Sequence, residues 1–135
     1  PWMKEAMRLL NEGPVVFVPV PLFKSRELER GYNQAELLAA WLGKSLGFPV
    51  ARLVKRVKDT GSQAKLIDRK SREENMQGAF QVQGVIPTCP IVLVDDIVTT
   101  GSTLLSCADA LRVAGASHVF ALTLADREKK THPRN

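Results

Sequence analysis

Hydrophobic positions along the chain switch repeatedly between two periods. Residues 15–21 (Val-Val-Phe-Val-Pro-Val-Pro) are apolar almost without a break, the pattern of a strand covered on both faces, as in a parallel sheet. The prolines mark the strand end, where the ladder no longer needs N–H donors. From residue 33 the period lengthens. Ala35, Leu38, Ala39, Leu42 and Leu46 recur at helical spacing, which predicts an amphipathic helix. Asn33 stands as its N-cap, Glu36 three residues on makes a capping-box variant, and Gly47 stops it. Trp41 is read as packing. Residues 50–57 and 79–82 return to short apolar alternation and predict strands. Residues 91–94 (Ile-Val-Leu-Val) are a buried strand. Residues 102–113 are helical again, with Leu104, Leu105, Ala108 and Leu111 inward and Gly115 at the end, and residues 119–124 form a last strand. A short amphipathic helix over residues 3–11 precedes them all. Strands alternating with helices predict an α/β domain whose mainly parallel sheet is flanked by helices.

The alternation fails in one place. Residues 63–76 are highly charged and offer few apolar positions, so a mobile excursion with a short helix near residues 69–76 is expected there. The net charge of +5 is concentrated in the same region. Arg52, Lys55, Arg56, Lys58, Lys65, Arg69, Lys70 and Arg72 face only Asp59 and Asp68, and the remainder of the chain is close to neutral. A polyphosphate, a nucleic acid or plain solvation would each account for such a segment. At 135 residues the chain is one domain. No apolar run approaches the roughly 20 residues of a membrane span, and no signal-peptide pattern opens the chain. Cys89 and Cys107 form no C-x-x-C motif. Free thiols and a cytoplasmic protein are therefore expected.

The densest chemistry follows the apolar run at 91–94. Asp95 and Asp96 stand at its end, then Ile97-Val98-Thr99-Thr100-Gly101-Ser102-Thr103 leads into the helix. The carboxyl edge of a parallel sheet opening onto a helix N-terminus is a ligand site. The N–H groups there lack intrahelical partners and carry the positive end of the helix dipole, which suits a phosphate. Gly101 allows close approach of the backbone, and Thr99, Thr100, Ser102 and Thr103 add hydroxyl donors. Two ionised carboxylates accept hydrogen bonds and donate none, which suits the vicinal hydroxyls of a sugar. Diol beside phosphate describes a ribose 5-phosphate. Neither a G-x-x-x-x-G-K-[ST] loop nor a G-x-G-x-x-G turn is present to make this a nucleoside triphosphate or dinucleotide site.

An apolar strand, two acids and a T-T-G-x-T loop resemble the phosphoribosyl pyrophosphate (PRPP) motif of type I phosphoribosyltransferases. The flanking residues narrow the likeness. Val18-Pro19-Val20-Pro21-Leu22, Arg30-Gly31-Tyr32-Asn33-Gln34 with Leu37-Leu38-Ala39, then Gln63, Arg72, Asn75 and Gly78-Ala79-Phe80 resemble the ComF family. Its members are phosphoribosyltransferase-like, and some act in natural competence. The likeness runs from about residue 18 to about residue 124 and implies a type I phosphoribosyltransferase-like fold. Family members often carry an N-terminal four-cysteine zinc-binding region, absent here, so residues 1–135 are expected to be a single phosphoribosyltransferase-like domain, either a fragment or a member without that part.

The resemblance also implies roles. Asp95 and Asp96 would take the ribose 2- and 3-hydroxyls, and Thr99, Thr100, Gly101, Ser102 and Thr103 the 5-phosphate. Pro21, Leu22 and Phe23 would face the pyrophosphate. Arg30, Asn33 and Gln34 would line or brace the site, with Arg30 counted among the catalytic residues beside the two acids. Gln63, Arg72 and Asn75 would belong to a loop folding over substrate. Mg²⁺ would accompany PRPP near Asp95 and Asp96, with no direct protein ligand. Purine-salvage relatives place an acid in the phosphate loop near the base. Thr99 stands there in this chain, so no general base is visible and the acceptor is left open. Three function classes follow: a transferase using PRPP, a PRPP- or nucleotide-binding regulator without turnover, and a component of the uptake machinery whose partner is single-stranded DNA or a DNA-uptake helicase.

Overall fold

The computed structural model describes residues 13–22, 28–29, 31–58, 78–98 and 101–126. The elements are β1 (Val16–Pro19), α1 (Gln34–Leu46), β2 (Val54–Arg56), β3 (Phe80–Val82), β4 (Ile91–Val98), α2 (Ser102–Val113) and β5 (Val119–Asp126). The helix expected over residues 3–11 lies outside the described residues, as does the excursion at 63–76.

β4 is the middle of a three-stranded parallel sheet of order β1-β4-β5. Ile91 sits beside Val16 on one side and Val119 on the other, and Val94 beside Pro19 and Leu122. Successive side chains of a strand point to opposite faces, so the unbroken apolar runs of β1 and β4 feed two cores. On one face Val16, Val18, Ile91 and Leu93 pack with Cys107, Ala108 and Leu111 of α2 and with Val54 and Phe80. On the other, Val15, Phe17, Val92 and Val94 pack with Ala39 of α1, with Leu38, Leu42 and Phe48 at the margin. Each fully buried Leu, Ile or Phe contributes roughly 1.5–3 kcal/mol, which is why this sheet needs a helix on both faces.

The strands foreseen at 50–57 and 79–82 are present as β2 and β3. They form a separate antiparallel ribbon in which Lys55 faces Gln81 and Arg56 faces Phe80, and Val50 alone reaches the main sheet, by one parallel bridge to Phe17. Three expectations about helix faces are corrected. In α2, Leu105 is 61% exposed and Cys107 takes the inward place, because the buried stripe runs Leu104–Cys107–Ala108–Leu111 and residue 105 lies off it. In α1, Leu46 is 45% exposed, because the helix buries a face of small residues, Ala35, Ala39 and Gly43. That close seating turns Trp41 outward, 64% exposed, where packing was expected.

Candidate active site at the carboxyl edge of the parallel sheet

β4 does not stop where its apolar run stops. It continues through Asp95 and Asp96 to Val98, because β5 keeps offering ladder partners: Asp95 lies beside Thr123 and Ile97 beside Ala125. The two acids are therefore strand residues, and the alternation of the strand sends Asp95 to the α2 face with Leu93 and Asp96 to the α1 face with Val94. Both are half-buried. The Asp96 N–H donates to Asp95 Oδ1 at 2.9 Å. Burial, above all, raises the Asp95 pKa from 3.8 to about 7. The Asp96 side chain adds to the rise by hydrogen bonding and by its charge, while the Asp96 amide and the positive charge of Arg56 oppose it. Near neutrality Asp95 therefore divides its time between acceptor and donor, where a surface aspartate would be acceptor only.

Beyond the strand, Gly101 opens α2 with a φ of 84°, a left-handed conformation that side chains disfavour. No side chain caps this helix start, and a Cβ on Gly101 would meet nothing within 4 Å. Ser102 and Thr103 are half-buried in that turn. Thr99 and Thr100 lie outside the described residues.

The end of β1 is drawn level with the acids. Val20 N–H donates to the Val94 carbonyl at 2.9 Å, which sets Pro21 and Leu22, both half-buried, at the same edge. Asn33 holds this corner from below. Its Oδ1 accepts from the Ala35 N–H at 2.9 Å as the α1 N-cap, and its Nδ2 donates to the Val20 carbonyl at 3.2 Å. The side chain is 5% exposed and its hydrogen bonds compensate the burial. Glu36, expected in a capping box, has its Oε1 3.0 Å from the Arg52 guanidinium. Gln34 is exposed on the first turn of α1. Thus Asp95, Asp96, Gly101, Ser102, Thr103, Pro21, Leu22 and Asn33 gather at one edge. Phe23, Arg30, Gln63, Arg72 and Asn75 lie outside the described residues.

Sequence reasoning missed Arg56 as an individual and counted it only in the basic run. In the fold its guanidinium lies over the Phe80 ring, 5.1 Å from the centroid, and its charge acts on both Asp95 and Cys107. The signal was present: in Val54-Lys55-Arg56 the arginine shares the phase of buried Val54. Cys107 is fully buried, and burial and then the Asp95 charge push its thiol up to about 12, so it stays neutral.

A family model described as phosphoribosyl transferase domain matches residues 2–135. The chain belongs to that family. Among its relatives, competence protein F of Haemophilus influenzae is 40% identical over 116 residues, 83% of this chain and 50% of that protein. Competence protein ComFC of Bacillus subtilis is 37% identical over 111 residues, 81% of this chain and 43% of that protein. The DNA utilization protein YhgH of Escherichia coli K12 is 35% identical over 107 residues, 78% of this chain and 47% of that protein. These are ComF-type proteins, as the motif series implied, and the chain spans about half their length. Two crystal structures share the phosphoribosyltransferase fold. The purine phosphoribosyltransferase of Pyrococcus horikoshii aligns with a TM-score of 0.54 at 18% identity, over 92% of this chain and 68% of that one. The adenine phosphoribosyltransferase of Saccharomyces cerevisiae aligns with a TM-score of 0.57 at 13% identity, over 93% and 63%. In this phosphoribosyltransferase domain no helix among the described residues is long and apolar enough to cross a membrane.

Proposed function

We propose that this domain binds PRPP and transfers its phosphoribosyl group to a nucleophile, releasing pyrophosphate. The observation that carries the reading is the neighbouring pair Asp95 and Asp96, half-buried on the central parallel strand just before the glycine-started turn of α2, which no side chain caps. Sugar hydroxyls and a 5-phosphate need those two features side by side. In this reading Asp95 and Asp96 hold the ribose diol. The amides of Gly101, Ser102 and Thr103, with the hydroxyls of Thr99, Thr100, Ser102 and Thr103, grip the phosphate. Pro21, Leu22 and Phe23 face the pyrophosphate, Asn33 fixes that corner, and Arg30, Gln34, Gln63, Arg72 and Asn75 complete the leaving-group side.

The bond from ribose C1 to pyrophosphate breaks as the bond to the nucleophile forms, and the nucleophile gives up its proton. Positive charge builds on the ring on the way, so holding the ring rigid and neutralising the leaving group are the residues' tasks. Among the described residues no three His, Cys, Asp or Glu side chains gather to hold an ion. Mg²⁺ accompanying PRPP would lie near Asp95 and Asp96 and would supply charge neutralisation to the departing pyrophosphate. A phosphorylated substrate and two cysteines without a disulfide suit the cytoplasm.

Calorimetric titration with PRPP and Mg²⁺ tests the binding. The Asp95→Ala/Asp96→Ala double variant is expected to lose at least about tenfold in affinity, on the scale of two or more hydrogen bonds to charged groups. Unchanged affinity overturns the assignment. Pyrophosphate release across a panel of nucleobases and amines tests turnover. A second reading, a PRPP- or nucleotide-binding regulator of DNA uptake, is favoured by Thr99 standing where purine-salvage relatives carry an acid and by the relatives' names. It predicts binding without release. Affinity for single-stranded DNA that falls steeply with salt would mark a nucleic-acid partner.

A further inference from the structure

We propose that Arg56 is a positioning residue of this site: seated on Phe80, in the cluster on the face of the sheet to which Asp95 turns, its charge keeps that carboxylate ready for the sugar. The inference rests on the reading above of Asp95 as a ribose-hydroxyl acceptor. Four observations support it. Arg56 and Phe80 are cross-strand neighbours in the β2–β3 ribbon, so ladder geometry fixes the arginine backbone. The flat cation lies over the ring at 5.1 Å, an interaction that the planar guanidinium makes well and an ammonium less so. Its Nε is buried, so the charge is carried inward, away from solvent. Phe80 and Cys107 share the core cluster beneath the α2 face of the sheet, the face to which Asp95 turns.

Among the described residues, the charges acting on Asp95 are few. Its own strand supplies Asp96, α2 supplies Cys107, which stays neutral, and β2 supplies Arg56. The neighbouring strands offer Val18, Val20 and Thr123, which carry no charge. Arg56 is the cation in this set, and its charge favours the ionised carboxylate. Even a half-buried arginine is costly to desolvate. A carboxylate that must stay an acceptor while half-sunk beside another acid gives that cost a purpose.

The test reads Asp95 directly. With ¹³C-labelled aspartate, the Asp95 carboxyl resonance of the free protein, assigned with Asp95→Asn, is followed against pH. Arg56→Gln is expected to raise its midpoint by about one unit, and Arg56→Lys to bring it back part of the way. Phe80→Leu, which keeps the charge and removes its seat, shifts it in the same direction by less. A midpoint that stays put or falls in both Arg56→Gln and Phe80→Leu overturns the proposal, and near-UV circular dichroism certifies that each variant is folded. A one-unit rise from about 7 leaves roughly a tenth of Asp95 ionised at pH 7 in place of half. PRPP affinity of Arg56→Gln should then fall about fivefold at pH 7 and recover by about pH 9. A shifted midpoint in a protein that binds no PRPP at any pH would support the hold of Arg56 on Asp95 and overturn the proposed function.

Discussion

A carboxyl half-sunk on a strand, with a second carboxyl as its chain neighbour, resists ionisation in the folded protein and ionises freely in the unfolded chain. For Asp95 the two values are about 7 and 3.8. Between them the folded state holds a proton that the unfolded chain has released, so stability falls as pH rises through this window and the full cost is reached above pH 7. Asp95→Asn removes the cost. Urea melts should show the variant stabilised by about 1–3 kcal/mol at pH 8, with the gain fading toward zero near pH 4, while PRPP binding weakens. A gain of equal size at both pH values would contradict the assignment. That two acids and then a glycine-started helix follow the apolar run was legible in the sequence. The raised pKa of Asp95 was not, because it depends on depth, which only the packed sheet and α2 set. Asn33 shows the same divide. Its cap was readable from local spacing. Its second bond, to the Val20 carbonyl, joins residues that meet only after the chain has folded.

Among elements, α1 depends on how closely it can approach the sheet. Gly43 is buried on its small-residue face, and a Cβ there would come within 2.7 Å of Val50 Cγ2 and 2.8 Å of the Phe48 carbonyl oxygen. Helix propensity favours alanine over glycine by about 1 kcal/mol, yet the clash includes backbone, and overpacking typically costs about 1–3 kcal/mol. Gly43→Ala should therefore destabilise by up to about 2 kcal/mol in thermal melts. A rise in melting temperature would show that the Phe48–Val50 turn yields. Among the described residues, periodicity revealed both helices and all five strands, and it placed the caps of α1 at Asn33 and Gly47. It could not tell that Leu105 and Leu46 lie off the buried stripes, since a helix with several leucines supports more than one stripe. Nor could it see that β4 runs on through its acids. A strand persists as long as its neighbour supplies partners, and that information lies in β5.

For the whole molecule, the parallel sheet and the β2–β3 ribbon differ in support. β4 has a strand on each side and a core on each face, whereas among the described residues β2 and β3 have only each other as ladder partners, and two-stranded ribbons are marginal without packing. Native-state hydrogen exchange should find the amides of Val92, Leu93 and Val94 slowest and those of Lys55 and Gln81 faster by more than about tenfold. Equal rates would make the two sheets one cooperative unit. The α/β class and a mainly parallel sheet followed from alternating periods. The detachment of the ribbon did not, because short alternating runs say nothing of which sheet they will join.

That ribbon has a peculiarity of wiring. The chain departs it at Lys58 and rejoins it at Gly78, beside a rung in which the Val57 N–H meets the Ala79 carbonyl at 2.7 Å. Val57 follows Arg56 directly, so that rung lies one peptide bond from the cation over Phe80.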